Sequence, residues 1–209
     1  MPRRVDDYRG LAHASRIRLL DAIQSQPGIL LSELASRTGL HENTVRDHVR
    51  VLEDRGLIVS RPAPQGTRGR PPLSFHPVRD PNANPVARSR IERATEHGDL
   101  LRRIMPCARD LPADALHQLD ALYEHLDDAG LEPEIDEQSL TVRLRPCPFY
   151  PLLNGDDEKI VCAVHQRLAD EILHQVRGPL EMSAYRPFVT PDECRIELEL
   201  RDEPAVAAV

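Results

Sequence analysis

The stretch that decides the fold is SELASRTGLHENTVRDHVRVLEDRG, residues 32–56. It predicts a short helix over 33–37 with Ser32 as the N-cap, because a serine hydroxyl at that position can accept a hydrogen bond from a backbone N–H of the first turn. Gly39 then allows a tight turn, since glycine adopts left-handed backbone angles without a steric penalty. A second helix is predicted over 42–55, and the whole stretch is typical of a helix-turn-helix.

The second of these helices has one apolar face and one polar face. Val45, Val49 and Leu52 recur at helical spacing and are predicted to face the core. The polar face is free to enter a major groove, where the first residues of a recognition helix meet base edges. The side chains predicted to contact DNA are His41, Asn43, Thr44, Arg46 and Arg50. We assign Arg50 to phosphate and the central three to bases; the alternative is a solvated helix face without a ligand.

The segments on either side of this stretch complete a winged helix-turn-helix. A helix is predicted over 10–26, and strands over 57–59 and 73–75 enclose a loop rich in glycine, proline and arginine. Such a loop is thin enough for a guanidinium to enter the negative minor groove. We predict that Arg70 inserts there and that Arg68 binds a neighbouring phosphate. The alternative is a proline-stiffened loop whose arginines only face solvent.

The charge of the 209-residue chain is distributed unevenly. Its formal net charge is −7, but residues 1–80 hold 13 arginines against 9 acids, a charge of +4, and the remainder carries −11. This asymmetry predicts a half that faces double-stranded DNA and a regulatory half.

Several classes of protein are disfavoured by the same sequence. No apolar run approaches the roughly 20 residues that span a bilayer. The first residues lack the apolar core of a secretory signal, so we predict a cytoplasmic protein without membrane contact. No phosphate-binding glycine loop, nucleophile elbow or metalloprotease motif is present, and we predict that the chain is not an enzyme.

The predicted fold class is α+β, with four consecutive parts. Residues 1–78 form the winged helix-turn-helix, and 79–86 form a linker, because repeated prolines and asparagines disfavour regular structure. Residues 87–130 form a helical segment that dimerises, and 131–209 form a ββαββ sensor module. The helix over 113–126 carries an apolar stripe that serves either as the dimer surface or for packing on the sheet.

The remaining elements are predicted from their hydrophobic periods. A helix is predicted at the start of the second part of the chain, over 86–96. The ββαββ module is predicted to have strands over 132–135 and 140–144, a helix over 157–176, and strands over 180–188 and 194–200.

Three cysteines in the second half suggest a metal centre. Cys147 lies between two prolines, Cys162 and His165 share one helical face, and Cys194 begins the last strand, with gaps of 14 and 31 residues. Three thiolates suit an iron–sulfur cluster, 4Fe–4S or 2Fe–2S, with His165, Glu193 or an external thiol as fourth ligand. Zinc held by three cysteines and one histidine is equally permissible, and so are three small residues buried in a core.

Part of this pattern resembles a known family. The residues that carry the resemblance are HENTVRDH at 41–48, GRP at 69–71, CPF at 147–149 and VCAVH at 161–165. They are similar to the SufR-type regulators, winged-helix repressors of iron–sulfur assembly genes in the ArsR superfamily. The resemblance implies that Cys147, Cys162 and Cys194 hold a cluster, and that its occupancy controls the operator affinity of a homodimer. Cys107 lies outside the pattern and is assigned a structural role.

A dimeric helix-turn-helix protein presents two recognition helices to one face of the duplex. These enter successive major grooves about one helical turn apart, so the predicted operator is pseudo-palindromic.

Overall fold

The computed structural model describes residues 13–64, 71–105, 110–129, 131–145, 156–190 and 193–201, with the side chains of the fifth range from residue 159. The helices in these residues are α1 (Ala14–Ser25), α2 (Leu31–Thr38), α3 (Glu42–Asp54), α4 (Pro85–Arg102), α5 (Ala113–Asp128) and α6 (Asp156–Gln175). The strands are β1 (Ile29–Leu30), β2 (Ile58–Pro62), β3 (Leu73–Pro77), β4 (Pro133–Asp136), β5 (Thr141–Leu144), β6 (Leu180–Thr190) and β7 (Glu193–Leu200). The α+β fold class is confirmed.

The chain folds as two compact units. One comprises residues 1–89 with 149–171, and the other comprises 90–148 with 172–209. Residues 149–171, which hold most of α6, therefore group with the N-terminal residues. The predicted sensor module, residues 131–209, places all of α6 with the C-terminal strands, whereas the structure groups residues 149–171 with residues 1–89. The predicted domain boundaries stay a prediction.

The first unit is built on α1, α2, α3 and a small antiparallel sheet. Its strand order is β1-β3-β2, with Ile29 and Ser60 both paired with Phe75. The side chains that the three helices and the sheet bury between them include Leu19, Leu20, Ile23, Leu34, Val45, Leu52 and Ile58. Removing this apolar surface from water is the main source of stability for the unit.

The predicted linker contains regular structure. A short 3-10 helix spans Pro81–Ala83, and α4 begins directly afterwards. Asn84 is buried; its Nδ2 donates to the carbonyl oxygens of Glu53 and Ile58 at 2.9 and 3.3 Å, and its Oδ1 accepts from the Val86 N–H at 2.9 Å. The prolines do not prevent a helix here because proline is favoured at the first helical position, where no backbone N–H is needed.

The second unit contains an antiparallel sheet with strand order β4-β5-β7-β6. Three side chains of the apolar stripe of α5, Leu119, Leu122 and Leu126, are buried. Tyr123 of the same stripe is exposed, and a dimer role for this helix stays a prediction. Within the same helix, Gln118 is buried, and its amide bonds the backbone of Leu180 twice, at 2.7 and 3.0 Å.

α4 and α5 approach each other closely in this unit. Arg102 donates two hydrogen bonds to the Asp120 carboxylate, at 2.8 and 2.7 Å. A Cβ at Gly98 would collide with that carboxylate, so any larger residue there would displace Asp120 from its present position. A further bond from Arg102 to Asp99, at 2.9 Å, secures the end of α4.

The predicted bounds agree with the observed ones within a few residues for most elements. The largest difference is α4, which continues to Arg102 where the sequence predicts an end at Glu96. The two-residue strand β1 was not predicted. None of the described helices has the length and apolar character needed to cross a bilayer.

Candidate nucleic-acid interface

The turn between α2 and α3 has the predicted geometry. Gly39 ends α2 with a left-handed φ of 69°, which glycine adopts without strain. His41 is the N-cap of α3, and its Nδ1 accepts from the Asn43 N–H at 3.2 Å. Glu42 in the first turn adds a negative charge where the helix dipole is positive. These residues fix the position at which α3 begins.

The start of α2 differs from the prediction. Ser32 was expected to be its N-cap, but that position belongs to Leu30, whose N–H donates to Glu33 Oε2 at 2.8 Å. Ser32 therefore lies inside the first turn of α2, and its side chain is exposed. It lines one groove together with Arg46 and Arg50. Hydroxyl groups bind phosphate oxygens readily, so Ser32 is a candidate contact that sequence reasoning missed.

The two faces of α3 are divided as predicted. Val45, Val49 and Leu52 are buried. The five side chains predicted to contact DNA are all exposed: His41, Asn43, Thr44, Arg46 and Arg50. The structure brings all five to the solvent side of one helix, four of them within its first turn and a half. A helix that packs its apolar face on the domain and exposes its polar face can place polar side chains against base edges in a major groove.

Arg46 is held in place by its neighbours on α3. Its Nη1 donates to Asn43 Oδ1 at 2.7 Å, and its Nη2 donates to Glu42 Oε2 at 3.3 Å. A guanidinium has five donors, so several stay available for a base edge or a phosphate. Asn43 and Arg46 therefore form one polar pair, and a change in either side chain alters the presentation of the other.

The wing strands are anchored to α3. Glu53 Oε1 accepts from the Ser60 N–H at 2.9 Å and from its hydroxyl at 2.8 Å. Between α3 and these strands lies a groove of about 500 Å³, whose apolar wall includes Leu73 and Phe75. The predicted contacts of Arg68 and Arg70 lie in the loop at 65–70, outside the described residues.

One further histidine lies on α3. The His48 ring packs against His13 with a centroid separation of 4.9 Å. Burial lowers the pKa of His48, and the neighbouring His13 and Arg16 lower it further. His48 is therefore neutral at pH 7 and acts as a packing group between α1 and α3.

The predicted metal ligands lie in different parts of the chain. Cys162 is half-buried on α6, in the first unit, with buried His165 one turn further on. Burial lowers the pKa of His165 to about 4, so its imidazole is neutral at pH 7. Cys194 is buried at the start of β7, in the second unit. Cys147 lies outside the described residues, and the ligand set stays a prediction.

Glu193, considered above as a fourth ligand, is bound by two arginines. Its Oε1 accepts from Arg195 at 3.1 Å, and its Oε2 accepts from Arg145. The hydrogen bond from Arg195, supported by Arg145, lowers the pKa of this carboxyl. Within the described residues, no three His, Cys, Asp or Glu side chains come together as a metal-binding group.

The comparisons with known proteins agree with the N-terminal geometry. Residues 11–61 match the family model described as a helix-turn-helix domain. Neither the curated proteins nor the solved structures include a match to the chain. The matched segment covers α1, α2, α3 and most of β2, including all five exposed residues of the interface. The chain thus carries a helix-turn-helix DNA-binding domain of the kind found in transcription regulators.

Proposed function

We propose that the chain is a homodimeric transcriptional repressor of the SufR type, whose operator affinity is controlled by an iron–sulfur cluster. The observation that carries the DNA-binding part is the exposed polar face at the start of α3, which follows a capped turn and precedes an anchored wing. In this proposal Asn43, Thr44 and Arg46 read bases and Arg50 binds phosphate.

The dimer is proposed to form on α4 and α5. The inward face of α4 is buried at Ala94 and Gly98, but Leu101 on the next turn and Met105, just after the helix, are exposed. With Tyr123 of α5, these side chains line a groove of about 480 Å³. Exposed apolar surface of this kind marks an interaction site.

We propose that the exposed apolar side chains of this groove meet those of a second copy. Part of the charged lining is already paired within the chain, because Arg102 bonds Asp120 and Arg93 of α4 bonds Glu124. A two-fold axis along the groove would place Leu101, Met105 and Tyr123 of one copy against the same side chains of the other. Such a dimer would supply the two recognition helices that a pseudo-palindromic operator requires.

The donor atoms of the described ligands suit the proposed cofactor. Thiolate sulfur is the preferred ligand of iron–sulfur clusters, and a neutral imidazole such as that of His165 binds iron or zinc. We propose that Cys147, Cys162 and Cys194 hold the cluster, with His165 as the fourth ligand. A bound cluster would supply a redox-active centre. Zinc on the same four residues is the alternative, favoured by the pairing of a cysteine and a histidine on one helix.

The cofactor proposal is tested by purification without oxygen, followed by metal and sulfide analysis. A coloured protein with a broad visible absorption band, iron and acid-labile sulfide supports the cluster; a colourless protein with stoichiometric zinc supports the alternative. Cys162→Ser is expected to lose the metal but keep its DNA affinity in part, whereas Cys107→Ser, the matched control, keeps both. Unchanged metal content in Cys162→Ser would remove that residue from the ligand set.

A further inference from the structure

α6 meets α1 through two side-chain contacts about one helical turn apart, all within the first unit. Arg167 donates to Asp21 Oδ1 at 2.8 Å and to Ser25 Oγ at 3.3 Å. One turn further along α6, Glu171 Oε2 accepts from Gln24 Nε2 at 3.3 Å. These contacts join α6 to the first helix of the helix-turn-helix domain.

The contact between Gln24 and Glu171 is chemically incomplete when the carboxyl is ionised. Gln24 is 8% exposed, and its Oε1 accepts no hydrogen bond from any described residue. A carboxylic acid and a primary amide can exchange two hydrogen bonds, because the acid O–H donates to the amide oxygen while the amide N–H donates to the acid. A carboxylate cannot donate, and it leaves the buried Gln24 oxygen beside a half-buried negative charge.

Charged groups from three elements surround Glu171. Arg167 and Asp170 lie on α6, Arg79 follows β3, and Asp21 of α1 binds Arg167. Burial raises the pKa of Glu171 to about 7, against the opposing effects of the Gln24 hydrogen bond and the two arginines. The carboxyl therefore changes its protonation state near neutral pH.

We propose that Glu171 and Gln24 form a proton-dependent latch between α6 and the helix-turn-helix domain, closed when Glu171 carries its proton. α1 packs on both α2 and α3, so a closed latch holds the DNA-reading helix in one arrangement. Ionisation of Glu171 loosens the packing of α1 on α3. Ordering α3 when DNA binds then costs conformational entropy, which lowers the affinity for DNA. The inference rests on the proposed function only in that α3 binds DNA.

Hydrogen exchange of the full chain at pH 6 and pH 8 tests the latch itself. In the wild type, the protection factors of α1 and of the second half of α6 are expected to fall by up to about tenfold, the ionisation ratio one pH unit above the pKa. Glu171→Gln, which cannot ionise, is expected to keep its protection at both pH values. Glu96→Gln is the matched control, because the Glu96 side chain is exposed on α4, and it should behave as the wild type.

The second arm measures affinity for a duplex that the wild type has selected from random-sequence DNA. Between pH 6 and pH 8 the wild type is expected to lose several-fold more affinity than Glu171→Gln. The latch is refuted if wild-type protection is equal at both pH values, if Glu171→Gln keeps the wild-type dependence, or if protection changes without a change in affinity. If no protein binds DNA at either pH, the DNA-binding function itself fails.

Discussion

Replacement of Asn84 by alanine is expected to be among the most destabilising single changes in the first unit. The Asn84 amide joins α3, β2 and α4: Nδ2 donates to the carbonyls of Glu53 and Ile58, and Oδ1 accepts from the N–H groups of Val86 and Ala87. One buried side chain therefore both caps a helix and bridges two other elements, and alanine provides none of these bonds.

The expected cost follows from these bonds. Loss of the cap costs about 1 kcal/mol. The buried hydrogen bond to the Ile58 carbonyl is lost, which costs about 1–3 kcal/mol. The carbonyl of Glu53 keeps the Gly56 N–H, at 2.9 Å, and adds little. Asn84→Ala should thus lower the free energy of unfolding by about 2–4 kcal/mol.

Urea unfolding followed by circular dichroism measures this loss. Asn82→Ala is the matched control, because the Asn82 side chain is exposed and bonds only Asp80 among the described residues, at 3.1 Å. That control should lie within about 0.5 kcal/mol of the wild type. If Asn84→Ala is no more destabilising than Asn82→Ala, the residue does not bridge these elements as described.

Two other changes have defined outcomes. Gln118→Ala should destabilise the second unit by about 2–4 kcal/mol, because it leaves the buried Leu180 N–H and the carbonyls of Leu173 and Leu180 without their partner. Thermal unfolding measures this loss of stability, and a loss below about 1 kcal/mol would contradict the described packing of α5. The pKa of Glu171, usually 4.5, is about 7 in the folded chain, so its contribution to stability is complete below pH 4.5 and is lost as the pH rises through 7. Because His165, with its pKa lowered to about 4, acts in the opposite direction at lower pH, the measurement is the difference between Glu171→Gln and the wild type. Glu171→Gln should become the more stable protein by up to about 3 kcal/mol at pH 8, and a constant difference from pH 5 to pH 8 would refute the assignment.

The sequence predicted the exposed polar face of α3, the proposed DNA-binding surface, because that face is encoded locally. The apolar positions Val45, Val49 and Leu52 set the orientation of α3, and this orientation alone exposes Asn43 and Arg46. Gly39 marks the turn by its conformational freedom. The expected cap at Ser32 was wrong because α2 begins two residues earlier than predicted, with the Glu33 carboxylate bound to the N–H of Leu30.

Long-range placement could not be predicted from these patterns. The hydrophobic period of α6 predicts a helix but not its neighbour, and its contacts with Asp21 and Gln24 join residues about 146 positions apart. The proline-rich segment before α4 suggested a linker, because sequence rules do not reveal that Asn84 finds two carbonyls of distant residues. The same limit applies to the cysteines, whose spacing specifies donors but not distances.

The most direct test of the central claim, that α3 reads DNA, compares two arginine variants on a duplex selected from random-sequence DNA. Arg46→Ala should bind the selected site more weakly by about 1–3 kcal/mol and discriminate less among sequences. Arg50→Ala should weaken binding to all sequences alike and reduce the salt slope by about 1 for each bound subunit. Arg177→Ala, exposed and far along the sequence from α3, should bind as the wild type does. If both α3 variants bind with wild-type affinity and salt dependence, α3 is not the DNA-reading helix.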